Sequence, residues 1–190
     1  MFRVPIGDDA ELRLLEERHA EELFALVDRN RAYLREWLPW LDATKTLEDE
    51  RAFIRACLET FAAGEGLAIG IWYLGTMAGG IGLNAISHTD RRAAIGYWVA
   101  EELQGRGLAT RACRALLSYA FDERRLNRVE IFVAPGNTRS HAIPQRLGFT
   151  REGTVRQMAW HYDRFLDLVL YSMLADEWRA QKSSEGESRP

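Results

Sequence analysis

From residue 67 to residue 110 the chain passes through three apolar stretches and then, across two glycines, into a helix, and no other feature constrains its fold as much. Residues 67–74, 77–86 and 93–99 are strand-length, apolar and separated by short turns containing Gly or Asp, which predicts an antiparallel meander. The third stretch continues as Ile95-Gly96-Tyr97-Trp98-Val99-Ala100-Glu101-Glu102-Leu103-Gln104-Gly105-Arg106-Gly107-Leu108-Ala109-Thr110. Beyond the turn, Leu108, Ala112, Leu116, Leu117, Ala120 and Phe121 keep helical spacing over residues 108–123 and anchor that helix to the sheet. Gly105 and Gly107 let the backbone pass close to a ligand with successive N–H groups turned outward, and the helix adds its positive end. A pyrophosphate suits such a turn, but an ordinary turn would read the same. The spacing is neither that of the G-x-x-x-x-G-K-[ST] loop nor that of the G-x-G-x-x-G fingerprint.

The rest of the chain completes an α+β layout. Residues 11–15 read as a first strand, and residues 16–30 as a helix with Leu23, Phe24, Leu26 and Val27 on one side. The aromatic, proline-broken segment 33–41 reads as a helix end and a loop. A second helix spans residues 47–63, with Phe53, Ile54, Cys57, Leu58 and Phe61 spaced for one buried face. A strand at 128–133, a short helix at 138–147 and two strands at 149–160 and 165–174 follow. The expected fold is a mixed, mostly antiparallel sheet of about seven strands flanked by helices. One domain should occupy residues 1–178, and residues 179–190 should form a mobile tail, since nothing from Lys182 to Pro190 is apolar.

Composition narrows the function classes. A chain of 190 residues that is 47% apolar fills one core, and a net charge of −3 argues against a general nucleic-acid coat and so against a nucleic-acid partner. The first residues lack a signal sequence, and no apolar run approaches the roughly 20 residues of a membrane helix, so a cytoplasmic location is expected. Cys57 and Cys113 lack C-x-x-C spacing and sit in apolar-periodic stretches, which argues for buried thiols rather than disulfides, zinc ligands or nucleophiles. His19, His88 and His141 have no metal-ligand spacing, and His141 should face away from the groove side of its helix. No metal is expected. Trp37, Trp40, Trp160 and Tyr162 supply an aromatic rim that either holds a peptide or an aromatic small molecule, or packs the core.

Three motifs together point further. Gln104-Gly105-Arg106-Gly107-Leu108-Ala109 fits Q-x-x-G-x-A, Asn137-Thr138-Arg139-Ser140 fits N-x-x-S about 30 residues on, and Leu147-Gly148-Phe149 closes the short helix. In this combination, from about residue 11 to residue 178, the chain resembles the GNAT superfamily of acyl-CoA N-acyltransferases. Trp37-Leu38-Pro39-Trp40, Gly96-Tyr97-Trp98-Val99 and Arg151-Glu152-Gly153 resemble the branch that acetylates N-termini of ribosomal proteins. The resemblance implies acetyl-CoA as co-substrate and a splayed opening between the fourth and fifth strands, caused by a bulge, where the pantetheine arm inserts like an added strand. Trp98 and Val99 would lie at that bulge, and backbone N–H groups of Gln104, Gly105, Arg106, Gly107, Leu108, Ala109 and Thr110 would receive the pyrophosphate. Asn137 would bind the pantetheine arm while also suiting a helix N-cap, and Ser140 would protonate the leaving thiolate, with Tyr171 in reserve. A homodimer is common for such folds.

One position departs from the pattern. Where the ribosomal branch carries a glutamate that relays the amine's proton, this chain reads Gln157-Met158-Ala159. An α-amine, with a reference pKa of about 7.7–8.0, tolerates a weakened base better than a lysine at about 10.4. The proton could leave through water, with His161 or Asp163 as helper. Three functions follow from the sequence: acetylation of a protein N-terminus, acetylation of a small amine such as an antibiotic, amino acid or aminoacyl-nucleotide, or acyl-CoA binding by a regulator without turnover. Whether Glu36, Glu101 or Asp163 lines the acceptor groove cannot be read from spacing.

Overall fold

The computed structural model describes residues 3–187. Its strands are β1 (Arg3–Pro5), β2 (Ala10–Leu14), β3 (Leu67–Tyr73), β4 (Thr76–Ser87), β5 (Arg92–Val99), β6 (Arg128–Val133), β7 (Thr150–His161) and β8 (Arg164–Leu174). They form one sheet of eight strands in the order β1-β2-β3-β4-β5-β6-β8-β7, antiparallel except for the β5–β6 pair. The eighth strand is β1, whose three residues are too short to show a pattern in the sequence and are fixed by pairing Val4 with Leu12. The helices are α1 (Ala20–Arg29), α2 (Arg31–Arg35), α3 (Leu47–Ala62), α4 (Leu108–Ser118), α5 (Thr138–Arg146) and α6 (Ala175–Glu187). None is long and apolar enough to cross a membrane.

Strand alternation divides the interior into two layers. On β3, Ile69 and Ile71 face the larger cluster, where Leu108, Ala112, Leu116 and Leu117 of α4 pack against Ile81, Leu83, Ile95, Val129 and Ile131. Trp72 faces the other side and packs with Leu26 and Val27 of α1, Leu41, Ile54 of α3 and Met77. Gly70 admits this arrangement, because a Cβ there would lie 2.3 Å from the Trp72 ring. The sheet is thus covered on both faces.

Four expectations change in detail. Phe53 faces outward, 40% exposed and stacked on Trp40 with ring planes 3° apart, while Ile54 takes the core position. Phe24 is half-buried. The helix expected over residues 108–123 ends as a π turn at Tyr119–Glu123, which still buries Ala120 and Phe121. The expected tail from residue 179 is instead helical to Glu187, with Lys182 donating to Asp122 at 2.8 Å and the Ser183 and Ser184 hydroxyls bonded back to Arg179 and Gln181 carbonyls. Residues 188–190 of that tail lie outside the described residues.

The smaller layer holds a buried acid. Glu50 on α3 is only 1% exposed, and its Oε2 has no hydrogen-bond partner among the described residues. Arg31 lies near enough to favour ionisation, but its guanidinium is held by the Leu41 and Thr44 carbonyls at 2.8 and 2.9 Å. Burial wins, and the Glu50 carboxyl is pushed up to about 7. Between the ordinary glutamate value and about 7 the folded chain holds a proton that the unfolded chain releases, so raising the pH through that window favours unfolding. Denaturant melts at pH 5 and pH 8 should show stability lower at pH 8. Glu50→Gln should remove a difference on the order of 1–3 kcal/mol.

Candidate active site

The site begins where a ladder stops. β5 and β6 pair in parallel only through Arg92↔Arg128, Ala93↔Val129 and Ala94↔Glu130. Beyond Ala94 the strands part, and Ile95, Gly96, Tyr97, Trp98 and Val99 face Ile131, Phe132 and Val133 across a groove of about 1080 Å³. The expected opening is present. It does not coincide with a register shift at Trp98 and Val99, because the β4–β5 pairing runs evenly from Gly79↔Val99 to Asn84↔Ala94. The shift lies at the far end, between Asn84 and Ser87.

Even pairing decides which amide faces the opening. The Ala100 N–H donates to the Ala78 carbonyl of β4 at 2.9 Å. Alternation turns the Trp98 N–H the same way, toward Gly80, and the Val99 N–H the opposite way, into the groove. Of these two amides, the Val99 N–H is the one with the geometry to meet a thioester carbonyl in the opening. Trp98 contributes its indole, which lies over β4 where a Cβ on Gly80 would come within 2.8 Å of Nε1.

At the end of β5 the chain makes the glycine turn. Gly105 and Gly107 have φ of +74° and +73°, left-handed values that strain any residue with a Cβ. Gly107 caps α4 without a side chain, and the helical ladder starts with Arg111 N donating to Gly107 O at 3.0 Å. The N–H groups of Leu108, Ala109 and Thr110 therefore have no partner within the helix and point to its positive end. Gln104 differs from the expectation, since its own N–H is taken by the Glu101 carbonyl at 3.3 Å. Its side chain instead donates to the Tyr33 hydroxyl and accepts from Arg139. The Arg106 side chain leaves the groove and lies 5.4 Å above the Tyr73 ring, while Arg139 and Arg146 stay on the rim, Arg146 donating to Thr110 Oγ1 at 2.9 Å. Arg111 of α4 also lines the groove, but its guanidinium is held by Asp9 and the Ile6 carbonyl, so Arg139 and Arg146 of α5 are the arginines turned to the mouth.

Across the groove α5 is fixed at its start. Asn137 Oδ1 accepts from Ser140 N at 3.1 Å, so Asn137 is the helix cap while still lining the groove. Tyr97 O–H donates to the Ser140 carbonyl at 3.1 Å, bridging β5 to α5, and burial raises this phenol well above its ordinary value. The Ser140 side chain lines the groove on the same side as Asn137 and Arg139. Tyr171 is buried with its hydroxyl 2.9 Å from His141 Nδ1, and neither residue is among the groove walls. His141 faces away as expected. Tyr171 is occupied in fixing α5 to β8.

The aromatic residues separate. Trp37 and Trp160 line the groove, Trp37 reaching to 3.5 Å from a Cβ position on Gly136, whereas Trp40 lies outside it against Phe53. Ala159 and His161 also line the groove, two residues apart on β7 after register shifts in the β7–β8 pairing between Val155 and Ala159. The Ala159 methyl occupies the place for which the resemblance implies a glutamate. A smaller hollow adjoins, walled by Ala32, Arg35, Glu36, His161, Tyr162, Asp163 and Arg164. Glu101 lines the main groove, and Glu36 and Asp163 the hollow. Cys113 is fully buried and its thiol is raised by desolvation, Cys57 is pushed up to about 11 by burial, and neither reaches the groove. Among the described residues no group of three or more His, Cys, Asp or Glu side chains could hold a metal ion.

Sequence reasoning missed the polar ties that hold this geometry. Asn30 is buried, and its Oδ1 accepts from the Glu101 N–H at 2.8 Å while Nδ2 donates to Leu26 O at 3.0 Å. Its only sequence signal is a polar residue at the end of an amphipathic helix. Tyr97 and Tyr33 lie in segments already read as apolar or aromatic, where a hydroxyl leaves no periodic trace.

Comparison with known proteins agrees with this geometry. The chain is 38% identical over 183 residues to YdaF of Bacillus subtilis (strain 168), whose name provisionally makes it a ribosomal N-acetyltransferase, and covers 96% of this chain and 100% of that protein. It is 27% identical over 173 residues to a ribosomal-protein-serine acetyltransferase of Escherichia coli (strain K12), covering 91% and 97% of the two chains. Among solved structures, RimL, a ribosomal L7/L12 alpha-N-protein acetyltransferase in complex with coenzyme A, superposes with a TM-score of 0.88 at 28% identity, covering 92% and 99%. The model of the Acetyltransferase (GNAT) domain matches residues 10–150, which contain the meander, the opened β5–β6 edge, the glycine turn and α5, and the chain accordingly belongs to the GNAT acetyltransferase family.

Proposed function

We propose that this acetyltransferase moves the acetyl group of acetyl-CoA to the α-amine of a protein N-terminus, of the kind ribosomal proteins present. The observation that carries the reading is the unpaired edge of β5 running into the glycine turn, in a chain whose relatives are named as ribosomal-protein acetyltransferases. The groove fits the donor. Its open strand edges can pair an extended pantetheine arm, and the free N–H groups at the start of α4, with Arg139 and Arg146 nearby, suit a pyrophosphate. The location that follows is the cytoplasm. Association of two copies is consistent with exposed Met158 and Phe165 on the β7–β8 edge of the sheet.

The chemistry is a direct transfer. The amine lone pair attacks the thioester carbonyl carbon, a C–N bond forms, the C–S bond breaks, and the amine loses one proton while the thiolate gains one. The Val99 N–H stabilises the developing oxyanion. Ser140, held by Asn137 and Tyr97, donates to the departing thiolate. The hollow beside His161 leads to the acceptor side, where Trp37 and Trp160 flank the entering chain.

Three outcomes test this. Thiol release with acetyl-CoA should be at least about 100-fold faster for peptides with a free N-terminus than for the same peptides blocked there and offering only lysine. Equal rates would refute the α-amine reading. Ser140→Ala should lower kcat about 100-fold with acetyl-CoA affinity within about twofold, measured by calorimetry and steady-state rates. Gly107→Val, which strains a left-handed position, should weaken acetyl-CoA binding about tenfold.

A further inference from the structure

We infer that His161 is the catalytic residue that takes the proton from the acceptor amine, a role resting on the acetyl-transfer reading above. His161 alone lines both the main groove and the adjoining hollow, so its side chain stands where the thioester and the incoming amine would meet. The side chain is 7% exposed and has no hydrogen bond to another described residue, in contrast to His19, His88 and His141, whose ring nitrogens are engaged by Glu16, Gly64 and Tyr171. Its orientation is set by packing. The ring meets Tyr162 edge-on at 4.6 Å, and Tyr162 is held in turn by its hydroxyl bond to the Arg35 carbonyl at 3.0 Å and by the Arg35 guanidinium over its ring.

The other ionisable groups of the groove are poorly suited. Arg111, Arg139 and Arg146 carry no acceptor lone pair. The Tyr97 hydroxyl is donated to Ser140, and Tyr33 bonds Gln104, with burial raising both phenols. Glu101 is exposed beside the glycine turn and the Tyr33–Gln104–Arg139 cluster, at the phosphate end. Asp163 is exposed on the hollow wall. A neutral imidazole offers an acceptor lone pair to an amine that becomes strongly acidic as it bonds to carbonyl carbon. His161 also sits two residues beyond Ala159 on the same strand face, so the strand that lacks a carboxylate at one position presents a base at the next. The charged groups around it are Arg35 and Glu36 from α2 and its end, Asp163 from the β7–β8 turn and Arg164 at the start of β8. Arg35 is neutralised by Asp42 at 2.8 and 2.9 Å.

In the step itself the imidazole lone pair takes a proton from the amine nitrogen of the tetrahedral adduct, and after the thiol leaves that proton passes through solvent to restore the Ser140 hydroxyl, which had given its own to the thiolate. No oxidant or further reactant is needed. His161→Gln should lower kcat about 100-fold or more with a peptide acceptor while acetyl-CoA affinity stays within about twofold. His161→Ala should recover rate in proportion to added free-base imidazole, and the variants' rates should rise steeply with acceptor-amine basicity where the wild-type rate rises weakly. Unchanged kcat in both variants, with wild-type turnover intact, would overturn the proposal and leave the function standing. So would equal losses of kcat and acetyl-CoA affinity without imidazole rescue, or Glu101→Gln producing the whole effect instead. Absence of wild-type turnover with every amine would remove the function, and this role with it.

Discussion

A strand pair that stops after three residues organises this molecule. Backbone N–H and C=O groups left without partners at depth cost free energy on the order of 1–3 kcal/mol each, and the parting of β5 from β6 beyond Ala94 creates a row of them. Water meets that need in a groove, but an extended amide-bearing ligand meets it with fixed geometry. The opening therefore needs rigid walls, and both are supplied by the larger core, Ile95 from one strand and Ile131 from the other packing beneath it with α4.

Two walls held apart must still be held in register with one another, and polar ties do this. Tyr97 links β5 to the Ser140 carbonyl, His141 and Tyr171 fix the same helix to β8, and Asn30 fixes the end of β5 to α1 through Glu101 N–H. Each tie ends on a backbone group or a buried ring rather than on an exposed charge. Their geometry is accordingly insensitive to salt, unlike the surface pairs Arg35–Asp42 or Arg55–Glu48, which are solvated and contribute little. The groove is shaped by buried hydrogen bonds, and its charge is confined to the rim.

The strands and helices were legible because their periodicity is local. Residues 128–133 and the start of α4 at Leu108 fall where the sequence places them, since apolar spacing and the glycine turn act within a few residues. Asn137 and Ser140, whose place beside the cofactor the resemblance implies, do line the groove. Three-dimensional consequences were not legible. Trp40 and Trp37 lie three residues apart in one aromatic segment, yet one stacks on Phe53 outside the groove and the other reaches toward Gly136 within it. The choice between the Trp98 and Val99 amides depends on which strand edge is paired, and that is decided by Ala78 of β4. Past Trp178 α6 reads as a polar tail, because the residue that docks it is Trp178 at its start, buried against Phe121 of a distant segment.

Proton inventory ties the groove to its acceptor. An α-amine is roughly one-fifth to one-third neutral near pH 7.4, whereas a lysine side chain is neutral about 0.1% of the time. For the α-amine, removing the first proton before attack costs less than about 1 kcal/mol, and the larger demand falls on the second proton, lost as the C–N bond forms. A carboxylate at residue 159 would help with both. The methyl of Ala159 helps with neither, so a single buried imidazole meeting the amine at the seam between groove and hollow covers only the later demand. On the proposed role of His161, that asymmetry favours amines that arrive already neutral, and the absence of a carboxylate at residue 159 bears on the class of acceptor as much as the imidazole does.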